Sequence, residues 1–242
     1  MKKITLSLLL FSGLVVFGQN TEFKMPAEIK FSKTVVQKIT GEKNNTNLTY
    51  FFTSSGDYMA MKPETKDGTL MIYTKEGNTL VVSEKEKSII VMNLGKFINN
   101  AANIGKEMAK DKKGKDTIES KTSYRKTGNS KTISGYTAEE YEVKHENDLL
   151  NVWYIKADFD ANLLGYLGMG KMGNMAGGKS PTVPAGYGNL PAIGQNTLVA
   201  EMEKNGKKVV ETQSISNTDF SFSSAGYTVR DMSSLMKGNY NQ

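Results

Sequence analysis

The chain has 242 residues, no Cys, and a net charge of +6 from 31 Lys and Arg against 25 Asp and Glu. The lack of Cys excludes disulfides, a thiol nucleophile and the Cys-borne lipid anchor of exported bacterial proteins. The charge is mild and mixed with acids, and no basic stripe carries interleaved aromatics, so nucleic acid is not an expected partner.

Residues 1–18 read as a secretory signal peptide: Lys2 and Lys3 form a basic start, Leu8 to Val16 an apolar run, and Val16-Phe17-Gly18 a cleavage region. Cleavage after Gly18 leaves residues 19–242 as one domain, in the periplasm, at the outer membrane or outside a bacterium. The apolar run is too short to span a bilayer, and no later segment is long and apolar enough, so no integral membrane span is expected.

Ile29, Phe31, Val35 and Ile39 share one parity and read as a single long strand, with Lys33 and Gln37 interrupting its face. Leu48, Tyr50 and Phe52 form the next strand, and Ser54 to Asp57 turns it into Met59 and Met61, with Gly56 able to take positive φ. Leu70 to Tyr73, Leu80 to Val82 and Ile89 to Leu94 follow, each bounded by polar turn residues, as an antiparallel meander. Phe97, Ala101, Ile104 and Met108 recur at helical spacing. Glu119 to Lys126 reads as a strand ended by a turn at Thr127-Gly128-Asn129, and another strand begins near Lys131 with a bend or bulge at Gly135.

Tyr141 and Val143 alternate with Glu140 and Glu142, and Leu150, Val152 and Tyr154 alternate with Asn151, Trp153 and Ile155 across an Asn-Asp turn, which predicts a hairpin. Asp160 can cap a short helix with Leu163, Leu164 and Leu167. Residues 168–194 are rich in Met, Gly and Pro and read as a flexible lid or binding loop. Asn205-Gly206 is the strongest hairpin signal, between Val199–Glu203 and Lys208–Ile215. Phe220 and Phe222 alternate, and Met232, Leu235 and Met236 suggest a last short helix. The expected fold is mainly β (α+β): a curved antiparallel sheet or half-barrel of about eleven strands, with a few helices on the concave side.

Gly173 to Ser180 matches the phosphate-binding loop letter for letter, and Gly168-x-Gly170-x2-Gly173 the dinucleotide fingerprint. Neither has a strand leading in, and Pro181 and Pro184 oppose a helix leading out, so no nucleotide cofactor is expected. Met169, Met172 and Met175 have soft thioethers at a spacing that could hold Cu(I), but flexible Met more often packs on irregular apolar surfaces. His145 is the chain's single His and cannot build a His-rich zinc site. Glu139 and Glu140 point to opposite faces of a strand and make no carboxylate pair, so catalysis is not expected.

The run from Tyr50 to Leu94, with KTISGYTAEEYEV and NVWYI after it, resembles exported bacterial proteins grouped as domain of unknown function 4412. The resemblance covers roughly residues 29–158. That family resembles the LolA and LolB lipoprotein carriers, which implies a curved sheet sheltering acyl chains on its concave side, although a shared fold does not fix function. The expected role is therefore non-catalytic binding or carriage of an apolar ligand, lipid or lipidated partner. The cavity would be lined by Met59, Met61, Ile72, Tyr141 and Trp153, with Met169, Met172 and Met175 as a flap. The rival expectation is a structural or interaction module of the cell envelope, with a filled core and a protein partner.

Overall fold

A computed structural model describes residues 23–41, 45–64, 69–93, 122–145, 148–161 and 196–232. β1 (Glu28–Lys30) and β2 (Lys33–Thr40) come first. A meander follows: β3 (Asn45–Phe52), β4 (Tyr58–Pro63), β5 (Leu70–Thr74), β6 (Asn78–Ser83) and β7 (Ser88–Asn93). Next are β8 (Thr122–Ile133), β9 (Tyr136–His145) and β10 (Asp148–Lys156). The last four are β11 (Thr197–Lys204), β12 (Lys207–Asn217), β13 (Ser221–Ser223) and β14 (Thr228–Asp231).

Twelve strands form one sheet in the order β14-β7-β6-β5-β4-β3-β2-β12-β11-β10-β9-β8, not closed into a barrel. β1 and β13 pair in a separate two-stranded sheet. The fold is mainly β, as the alternation predicts, but the large sheet is mixed: β14 runs parallel to β7. Among the described residues there is no helix. The helices expected around 97–108 and 163–167 lie outside them, as do Leu235 and Met236 of the last expected helix, whose Met232 is described and is not helical.

Turn chemistry sets the hairpins. Asn205 and Gly206 take φ of 51° and 76°, and Ser134 and Gly135 take 48° and 86°. Two left-handed residues in a row match the twist of the flanking strands. Gly135 is thus in the β8–β9 turn and not at a bend within a strand. Thr127-Gly128-Asn129, expected as a turn, is a bulge inside β8, where the pairing with β9 shifts between Lys126 and Ser130.

The register defines two faces. Tyr50 lies between Val35 on β2 and Met61 on β4, and Phe52 opposite Met59. The same face runs on through Val210 and Met202 to Val152 and Tyr141. One continuous apolar cluster covers this Tyr50 face. On the other face Ala60, Ile72, Leu80 and Val91 align across β4 to β7 and form a second cluster. The small sheet caps that cluster with Ile29 and Phe222, and Phe31 joins it. β4 and β5 are therefore buried on both sides.

The shared parity of Ile29, Phe31, Val35 and Ile39 is real, but the single strand it suggests is two. The chain breaks at Phe31-Ser32, where Phe31 N–H donates to the Phe220 carbonyl at 2.9 Å and Ser32 N–H to the Phe52 carbonyl at 2.9 Å. Ile29 and Phe31 serve the second cluster, Val35 and Ile39 the first.

Candidate functional site

The Tyr50 face crosses a seam in the sheet. β11 pairs with β12 from Lys204 back to Glu201, where the ladder between them ends. β12 meanwhile stays paired with β2 as far as Asn217, bulging at Gln213. The two strands therefore part, and a backbone group left behind needs a partner. Gln37, fully buried at 0% exposure, provides one: its Nε2 donates to the Val199 carbonyl at 2.7 Å and to Thr212 Oγ1 at 3.1 Å. The polar residue that interrupts the β2 pattern is thus a tie across the seam.

Residues 157–161, directly after β10, tie the same end a second time. Tyr136 at the start of β9 donates its hydroxyl to Asp158 at 2.7 Å, and Lys33 at the start of β2 lies 3.2 Å from the same carboxylate. The Tyr136 hydroxyl first, and Lys33 with it, hold the Asp158 carboxyl below its ordinary value. Tyr136 itself is pushed up to about 12, by burial first and by its bond to Asp158 second. Phe159 packs its ring 4.9 Å from Phe52, and Asp160 sits against Gly56 in the β3–β4 turn. Glycine with φ of 72° fits there, and a Cβ would strike the Asp160 carboxylate.

A polar cluster occupies the opposite side of β8 to β12. Trp153 pairs with Glu140 on β9 and Glu201 on β11, so it faces away from Val152 and Tyr141. Lys131 Nζ lies 4.1 Å above its ring and also bonds Glu201 Oε1. Lys208 reaches Glu201 Oε2 at 3.1 Å. Burial alone would push the Glu201 carboxyl up, but the bonds and charges of Lys131 and Lys208 outweigh it and hold it below its usual value. Glu140 accepts from Thr127 at 2.8 Å, Asn129 at 2.7 Å and Asn151 at 3.2 Å. Both carboxylates are held in place by these partners. Among the described residues no group of three His, Cys, Asp or Glu is placed to hold a metal.

The register separates the residues expected to line one cavity. Met59, Met61 and Tyr141 share the Tyr50 face. Ile72 is on the other face, in the second cluster. Trp153 stands opposite Glu140 and Glu201 with Lys131 over its ring, and its half-buried ring also packs against the first cluster. Met169, Met172 and Met175 lie outside the described residues. Sequence reasoning does not pick out Gln37 or the Asp158 tie as site residues; the interruption of an apolar face by Gln37 is the available signal.

The sequence pattern described as Domain of unknown function (DUF4412) matches residues 31–178. The chain belongs to that family. The DUF4412 match takes in β2 to β10 but leaves out β11 and β12, the two strands that part at the seam. No curated protein matches the chain. Among solved structures it is similar to two titled as PNGF-II, in C2 and P21 space groups, at 14% and 13% identity with TM-scores of 0.42 and 0.41. In both, 86% of this chain is covered, and it spans 32% of the PNGF-II chain. An uncharacterized conserved protein from Thermus thermophilus is similar at 6% identity and a TM-score of 0.40, with 83% of this chain and 90% of that one covered. Likenesses this distant carry no functional argument. Among the described residues no helix is long and apolar enough to cross a membrane.

Proposed function

We propose that this DUF4412 protein is exported to the periplasm or outer surface of a bacterium, where it binds an apolar chain, as a lipid or part of a lipidated partner, without catalysis. The observation that carries this reading is the Tyr50 face: a buried apolar cluster continuous across an unclosed sheet and a seam held by side chains instead of a ladder. Met59, Met61, Met71 and Met202 contribute to it, and flexible thioether side chains adapt to irregular guests. In this reading the sheet curls around that face in the manner of the lipoprotein carriers, and the 157–161 tie holds the rim.

A second reading, an envelope module with a filled core, has its own support: Met59 is only 1% exposed and Tyr50 0%. Titration of the mature chain with a fluorescent acyl probe separates the two. Saturable uptake, displaced by an unlabelled long-chain alcohol, is expected of the carrier; no uptake supports the filled core. Export is tested by N-terminal sequencing of the protein from fractionated cells, where a start at Gln19 outside the cytoplasm is expected.

A further inference from the structure

An apolar face holds a chain but does not orient it. The Gln37 carboxamide offers orientation. Its Nε2 is occupied by Val199 and Thr212, but its Oε1 is buried with no hydrogen-bond donor in reach among the described residues. Stranding a buried acceptor is costly, so a donor arriving there gains binding energy that a purely apolar guest does not. The surroundings restrict which donor fits. Val35 and Ile39 flank Gln37 along β2, Leu48 stands opposite on β3, and Lys38 and Glu211 belong to the other face by alternation. A carboxylate only accepts, and would meet the carbonyl oxygen unfavourably. An ammonium would be desolvated without a counter-charge.

We infer that Gln37 Oε1 is the polar anchor of the apolar site and receives the hydroxyl or amide N–H of a neutral amphiphile whose chain lies along the Tyr50 face. The inference rests on the carrier reading, and deepens it from any apolar chain to one with an uncharged donor at its end.

The test compares hexadecanol with hexadecyl methyl ether, which keeps the chain and the oxygen but lacks the donor. Wild-type protein is expected to bind the alcohol about tenfold more tightly. In Gln37→Met, which keeps the volume and removes the oxygen, that ratio is expected to fall to about one while the ether still binds. Equal binding of alcohol and ether by the wild type overturns the anchor and leaves the carrier reading standing, with the oxygen served by water alone. Binding of neither overturns both. The wild-type comparison decides even if Gln37→Met, which also strips Val199 of its donor, does not fold.

Discussion

Gly56 shows how a single residue can be fixed by its neighbour across the sheet. Its φ of 72° and the Asp160 carboxylate against it leave no room for a side chain. Gly56→Ala is expected to cost about 1–3 kcal/mol in urea denaturation, because strain and collision add. Gly128→Ala, at φ of 92° with nothing within 4 Å, should cost about 1 kcal/mol from the backbone alone. Equal losses would remove the 157–161 segment from the account of that turn. Glu201 makes a pH-dependent contribution. Its folded carboxyl lies below the unfolded value, so the stabilisation is present above the unfolded value and lost as pH falls through the folded one. The stability gap between wild type and Glu201→Gln should therefore be widest near neutral pH and close in acid. Tyr136 behaves oppositely: raised from 10.0 to about 12, it stabilises below about pH 10 and loses that effect as pH climbs to about 12. The gap between wild type and Tyr136→Phe should shrink over that alkaline window.

At the scale of elements, the 157–161 tie is the piece with the clearest mechanical role. Phe159 is 7% exposed and packs on Phe52 of β3, although it follows β10 in sequence. Phe159→Ala should cost about 3 kcal/mol, and hydrogen exchange should quicken at the start of β11, beside the seam. Loss of stability without that local effect would show simple core packing. The strands themselves are largely legible in the sequence, because period-two alternation and turn residues report a half-buried strand directly. Asn205-Gly206 reads correctly as a hairpin turn for this reason. Which face a strand offers to which core is not legible. Ile72 and Met59 are both apolar and lie on neighbouring strands, yet pairing of Met59 with Tyr73 puts Ile72 on the opposite side. The break at Phe31-Ser32 is hidden because parity survives a change of sheet. The parallel β14, TVRD, is exposed at three of its four residues and has no alternation to read. Size alone suggests Trp153 for a cavity wall. Lys131, a charged residue on another strand, sits over its ring and bonds Glu201, while the ring also packs against the first cluster.

At the scale of the whole molecule, an open twelve-stranded sheet with an apolar cluster on each face must hide both from water. The small sheet covers the Ile72 side. The Tyr50 side is where the seam lies, where Gln37 keeps an unserved oxygen, and where the carrier reading puts its guest. The most direct measurement is native mass spectrometry of the mature chain isolated from its own cell envelope without detergent exchange. The account predicts a near-stoichiometric adduct of lipid-like mass, released on denaturation and uncharged at neutral pH. A bare polypeptide mass, in a preparation that also takes up no added acyl chain, would contradict it.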